Sequence, residues 1–413
     1  MMAAKGGKRA ADAAELEVLE SEMGNLVVQG GGAGGGGGSG GAMARIGTPL
    51  LVRMLERVGS MYHVMMAAQT CKKWNAACRD NQKSLLYCLS LALFPDVHDR
   101  EIQHLLKDDS VAASVRRIDF SGCRDLTDTA INEVTRRCGG GLTHISLRGC
   151  KSLSDQSLCM LLHSNSRTLV SLDLSDIPSV CDTVFYGLGG GESGGGGAAL
   201  RSLRVKGCSL LTDQAMSIVA MRCSSITALN LSGCKDVSDG AVGYAIGANT
   251  SLKELHLVGT QAAECSLYTL ARSPGASNLT ALDLSSCKFV NDGLTVPLVQ
   301  ACTSLRAIAL SENLNVTDET VARLPHSVRH LLIDRCPGVT DRSVVSAASR
   351  CTELRELDLR GNVSVTDTGL QALITHATCL ERLDIRGCPV SGALTGKLKE
   401  LVGPIVGSAE KQD

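Results

Sequence analysis

The stretch that decides the fold is Leu354-Arg-Glu-Leu-Asp-Leu-Arg-Gly-Asn362, followed by Val365-Thr366-Asp367. Leucines hold its first, fourth and sixth positions, Asn closes it, and an acid follows after a short gap. The same phrase opens at Val115, Leu142, Leu169, Leu200, Ile226, Leu252, Leu279, Leu305, Val328, Leu354 and Leu380. Successive openings lie 27, 27, 31, 26, 26, 27, 26, 23, 26 and 26 residues apart. A period in this range marks a stack of like units, none of which can bury its apolar face alone. In copy ten, Leu354, Leu357 and Leu359 point into the core. Leu370, Leu373, Ile374 and Ala377 then recur at the i, i+3, i+4, i+7 spacing of a helix stripe. A short strand followed by a helix, repeated, predicts an α/β solenoid with parallel strands lining an inner wall and helices outside.

The phrase L-x-x-L-x-L-x-x-N/C is the leucine-rich-repeat signature. Over roughly 115–403 the chain resembles the cysteine-containing subtype of that family, and the resemblance implies a curved horseshoe of eleven repeats. Cys123, Cys150, Cys208, Cys234, Cys287, Cys336 and Cys388 share the ninth position of the phrase; Ile177, Thr260, Asn313 and Asn362 fill it elsewhere. A thiol that alternates with Asn and Thr is a small buried group able to make a weak hydrogen bond to backbone. The cysteines therefore read as reduced and structural, which points to the cytoplasm or nucleus.

The bulk composition excludes several classes. A net charge of −1 offers no global field for nucleic acid. Aromatics at 2% fit a core of aliphatic ladders. No apolar run approaches the length of a membrane span, and the first residues, MMAAKGGKRAADAAELEVLESEM, lack the apolar stretch of a secretory signal.

Residues 1–44 are low in complexity. Gly30 to Gly41 is interrupted only by Ala33 and Ser39, a composition expected to behave as a flexible tail. From Thr48 the pattern changes: Leu50, Leu51, Met54, Leu55 and Val58 follow helical spacing, and Trp74 is the only tryptophan in the chain. Residues 45–88 resemble an F-box, on the strength of a proline, two apolar pairs and Cys71-Lys-Lys-Trp74. Two departures are visible: Leu50 follows Pro49 directly, and one extra residue falls between Val58 and Cys71. The resemblance implies an all-α unit that docks on the small adaptor of a cullin–RING (SCF-type) ubiquitin ligase. Residue by residue it assigns that contact to Pro49, Leu50, Leu51, Met54, Leu55, Val58, Cys71 and Trp74. The plainer reading is a helical cap over the solenoid's first repeat. Residues 89–114 read as a degenerate linking repeat, with a helix near Asp99 to Lys107 that buries Ile102, Leu105 and Leu106. Residues 404–413 form a C-terminal tail.

Nothing in the chain marks catalysis, a cofactor or a metal site. Nine repeats carry Asp fourteen residues into the template (128, 155, 182, 213, 239, 292, 318, 341 and 367), each after Thr, Ser, Asn or Cys. At a helix start, a hydroxyl or carboxylate caps free N–H groups and suits the positive end of the dipole, so the row reads as architecture. Function is expected instead on the strand wall, where residues between the leucines face outward. Arg148, Arg204 and Lys206 gather in repeats two to four; His256, Val258, His330 and Leu332 stand in repeats six to nine. A basic group beside an exposed Leu and Val suits a protein ligand, including a phosphorylated segment held by charge-assisted bonds. The F-box resemblance implies a non-catalytic substrate receptor of a ubiquitin ligase. The alternative is a leucine-rich-repeat scaffold with no ligase link.

Overall fold

The computed structural model describes residues 88–92, 96–107, 109–189 and 199–402. The expected adaptor contacts, Pro49 to Trp74, lie outside the described residues, as do both tails and most of the glycine run of repeat three.

A three-residue strand that turns its middle side chain inward buries a single residue, and this fold uses that minimum. The strands are β1 (Cys88–Ser90), β2 (Arg117–Asp119), β3 (His144–Ser146), β4 (Ser171–Asp173), β5 (Ser202–Arg204) and β6 (Ala228–Asn230). They continue as β7 (Glu254–His256), β8 (Ala281–Asp283), β9 (Ala307–Ala309), β10 (His330–Leu332), β11 (Glu356–Asp358) and β12 (Arg382–Asp384). All twelve form one sheet in chain order, and each pairs in parallel with its successor. The register keeps the template aligned: Leu331 sits opposite both Ile308 and Leu357. The inner leucines therefore form continuous ladders, with Leu354, Leu357 and Leu359 at most 1% exposed. Burying each such side chain contributes on the order of 1.5–3 kcal/mol.

The linking stretch supplies β1 and a helix, Asp99–Leu105, with Ile102, Leu105 and Leu106 buried. A second short helix, Asp109–Ser114, follows and was not apparent from the apolar spacing. Repeat eight shortens its helix to Asp318–Val321, ending before Pro325. Repeat three ends its own helix at Phe185, and a 3-10 turn, Tyr186–Gly189, leads toward the glycine run.

Two ladders of polar side chains tie each repeat to its neighbour. In the first, the Cys or Asn at the ninth position reaches back to the carbonyl just past the strand of the repeat before it. Cys150 Sγ donates to the Phe120 carbonyl at 3.0 Å, Cys287 to Leu257 at 3.0 Å and Cys336 to Leu310 at 3.1 Å. Asn313 and Asn362 do the same with their amides, at 2.9 Å to Leu284 and 2.8 Å to Ile333. Their Oδ1 atoms also accept from the backbone N–H of Cys287 and Cys336.

The second ladder revises the expected role of the aspartates. The helix cap is the residue before each one: Thr127, Ser154, Thr212, Ser238, Thr317, Thr340 and Thr366 accept from an N–H of their own first turn. The aspartate itself serves the next repeat. Asp318 accepts from the Thr340 N–H at 2.9 Å and hydroxyl at 2.7 Å, and from the Ser343 N–H and hydroxyl. Asp128, Asp182, Asp213, Asp292, Asp341 and Asp367 accept likewise from the cap residue one repeat on. Asp99 extends the row backward to Thr127 at 2.8 Å. The row breaks between repeats six and seven, where Cys265 stands in the aspartate's place.

These bonds act on both kinds of group. Burial pushes the Asp318 carboxyl up, but the bonds from Ser343 and Thr340 outweigh it and hold it below the ordinary carboxylate value. Burial pushes the thiols up, to about 12 at Cys150, Cys208 and Cys234. Asp318→Ala removes four bonds to a charged acceptor and should lower unfolding free energy by on the order of 1–3 kcal/mol, read from urea denaturation. A folded carboxyl held below its unfolded value stabilises above that unfolded value and loses the effect as pH falls through the folded one. The wild-type advantage over Asp318→Ala should therefore be constant at neutral pH and shrink below about pH 4. Alkylation of the native chain with iodoacetamide should label the exposed Cys265 and Cys379 while sparing the ninth-position thiols, with peptide mass spectrometry as the readout.

Candidate interaction surface

Because each strand buries its middle residue, the residues on either side face the concave wall. The wall thus includes the first strand residue of every repeat, such as Glu254 and Glu356, which the sequence reading passed over apart from His330. Alternation about the fourth template position was the available signal.

The expected surface residues do not converge on one site. Arg148 is exposed and its Nε lies 3.1 Å from Asp176 Oδ2. Arg204 is exposed, with a longer approach of 3.9 Å to Glu254. Lys206 is exposed and forms no ion pair among the described residues. His256 and His330 are half-buried, with Nδ1 3.8 Å from Asp283 Oδ2 and 2.9 Å from Glu356 Oε2 respectively. Val258 and Leu332 are half-buried too, less open than an exposed apolar pair would be. Burial pushes the Asp283 carboxyl up, but His256 and Ser285 outweigh it and hold it low. At the far end Arg360 bridges three acids, 2.7 Å from Asp358, 3.4 Å from Asp384 and 3.7 Å from Asp334. Among the described residues, no group of three or more His, Cys, Asp or Glu side chains could hold a metal ion.

Two further rows lie on the loops that leave the strands. The eighth template position is left-handed in all eleven repeats. Glycine supplies it seven times, as only Gly adopts this conformation without steric cost. Asp176, Ser286, Glu312 and Arg335 take it with φ between 53° and 61°. The last three are linked: Ser286 Oγ donates to Glu312 Oε2 at 2.7 Å, and Arg335 Nη1 to Glu312 Oε1 at 2.6 Å. A Cβ at Gly361 would meet Arg335 Cγ at 2.9 Å, so this glycine also makes room for the neighbouring side chain.

The tenth position changes character along the solenoid. It is basic at Arg124, Lys151, Lys235 and Lys288, and apolar in the last four repeats, at Leu314, Pro337, Val363 and Pro389. Leu314 and Val363 are 73% and 72% exposed, making an apolar ridge on the rim. At the other end, a concavity of about 750 Å³ opens beside repeats one to four, with Arg124, Arg148, Lys151 and Asp176 as its charged lining.

A parallel sheet of in-register strands, with helices closing each unit, defines a leucine-rich-repeat solenoid. The leucine-rich-repeat family model matches at residues 275–296 and 350–373. The BTB/POZ domain-containing protein FBL11 of Arabidopsis thaliana is 25% identical over 253 residues, 57% of this chain, and the chain spans about a quarter (26%) of its length. The crystal structure of the yeast Rad7 and Elc1 complex contains a chain of the same fold: 15% identity, TM-score 0.52, 86% of this chain and 94% of that one. The fold of the described residues is that of a leucine-rich-repeat solenoid.

Gly361→Ala combines a left-handed φ of +71° with the Arg335 contact. It should destabilise by on the order of 1–2 kcal/mol, measured as a lower urea midpoint. Gly122→Ala, with φ +82° but nothing within 4 Å of the new Cβ, should cost less.

Proposed function

We propose that this chain is the substrate-recognition subunit of an SCF-type cullin–RING ubiquitin ligase, within the F-box and leucine-rich-repeat family. The observation that carries the reading is the order of parts. A stretch with the F-box pattern, residues 45–88, leads directly into a solenoid whose first strand begins at Cys88. The likeness to the Rad7 and Elc1 structure supports it, since Rad7 is there joined to a second protein.

In this reading Pro49, Leu50, Leu51, Met54, Leu55, Val58, Cys71 and Trp74 contact the adaptor, and the repeat surface holds a target protein. The chain performs no chemistry itself. It raises the target's effective concentration beside the charged ubiquitin carrier, so that transfer becomes effectively intramolecular. Ubiquitin-dependent proteasomal degradation of the target follows, in the cytoplasm or nucleus.

A scaffold without a ligase link is the second reading. It draws on β1, the first strand of the sheet among the described residues, since the end of a solenoid needs a cap. Co-purification of the full chain with the ligase adaptor separates the two. Binding is expected, and Leu51→Asp combined with Leu55→Asp should abolish it while the thermal melt of the repeats stays in place. Failure of the unaltered chain to retain the adaptor removes the receptor reading.

A further inference from the structure

The concavity beside repeats one to four differs in charge from the rest of the concave side. Arg124, Arg148 and Lys151 line it against a single carboxylate, Asp176. Arg124 and Lys151 form no ion pair with any described residue. Arg148 is held by Asp176 at 3.1 Å. Asp176 takes the left-handed position that Gly fills in most repeats, with φ 61°. From there its carboxylate reaches Arg148, a contact that glycine could not make.

The remaining lining tells what kind of anion fits. Gly122, Gly149 and Gly207 form part of the floor, so a polypeptide backbone can approach closely. No lining residue is aromatic, which leaves no platform on which nucleic-acid bases could stack. The cations repeat along the sheet, Arg124 and Lys151 occupying the same template position in adjacent repeats. Units one strand spacing apart, ~4.7–4.9 Å, carry long side chains that can reach successive same-face carboxylates of an extended chain, ~6.6 Å apart.

We propose that this cradle binds an acidic, extended segment of a partner protein. Its carboxylates pair with Arg124, Arg148 and Lys151, and one displaces Asp176 from Arg148. Asp176 thereby stands in for the partner's carboxylate when the cradle is empty and sets the threshold for binding. This deepens the receptor reading by naming where a target docks and by what chemistry. It is read on the chain without adaptor, so the failure of either reading leaves the other standing.

The probe is a fluorescein-labelled dodecapeptide of alternating Glu and Gly, titrated with the full chain and followed by anisotropy. Saturable binding is expected, with no binding of the Lys and Gly counterpart. Arg124→Glu with Lys151→Glu should weaken it about tenfold or more. Both residues are exposed, and an unchanged melt guards against misfolding. Asp176→Gly should tighten it several-fold, a gain that unfolding cannot mimic. No binding, equal binding of the lysine peptide, indifference to the double reversal, or weakening by Asp176→Gly each overturns the proposal. Two alternative occupants also overturn it. Binding that appears only after removal of residues 1–44 assigns the cradle to the chain's own acidic run, Asp12 to Glu22. Displacement by inorganic phosphate at constant ionic strength assigns it to phosphate.

Discussion

The structure depends on a hydrogen bond that no repeat can make for itself. A unit of one three-residue strand and one short helix leaves backbone groups at both ends of its loop without partners, and a buried unpaired group costs about 1–3 kcal/mol. Here the neighbour supplies the partner. The Cys or Asn of one repeat reaches back to the carbonyl just past the neighbour's strand, as Asn362 does to Ile333, and the Asp of one repeat reaches forward to the next cap, as Asp341 does to Thr366. Apolar stacking alone would tolerate sliding of one leucine past another. The polar rungs do not, because each donor meets its acceptor in only one register. Together they convert a pile of like units into one aligned sheet.

This explains how much of the fold was legible. The leucine period placed the strands, helices and core, because burial acts on side-chain type and spacing alone. The 31- and 23-residue steps marked repeats three and eight as irregular for equally local reasons. The aspartates were harder. Their position at helix starts suggested capping, and a single repeat read by itself could suggest nothing else. Their true partners lie about 22 to 30 residues further on, at Thr340 from Asp318 and Thr212 from Asp182. Sequence shows what a residue can bond; only the stacking distance shows which of two candidate partners is in reach.

The surface was less legible than the core, again for a physical reason. Exposure of a wall residue depends on its neighbours in adjacent repeats, so Val258 and Leu332, which alternate outward, are nonetheless half-covered. Arg148 and Arg204 were visible as cations, but not the acids that engage them. Arg124 and Lys151 lie on the loop beyond the strand, where alternation gives no guidance. A recurring Gly at the eighth position was the clue to that loop's left-handed turn, and its replacement by Asp176, Ser286, Glu312 and Arg335 was the clue to where the turn carries more than geometry.

The template also constrains how such a protein can acquire a partner. Positions one, four, six and nine are committed to the core, and the fourteenth to the neighbour's cap. The eighth is constrained to a left-handed backbone, while positions three, five, seven and ten remain free, and they form rows running along the solenoid. A change at one free position costs little stability, and rows that change together build a long surface of one character. The tenth position has become basic toward one end, at Arg124 and Lys151, and apolar at the other, at Leu314 and Val363, on a backbone that repeats unaltered beneath both. The surface is therefore segmental: two chemically distinct stretches can stand at opposite ends of one sheet, because the side chains that differ at the tenth position are not those that form the two ladders beneath them.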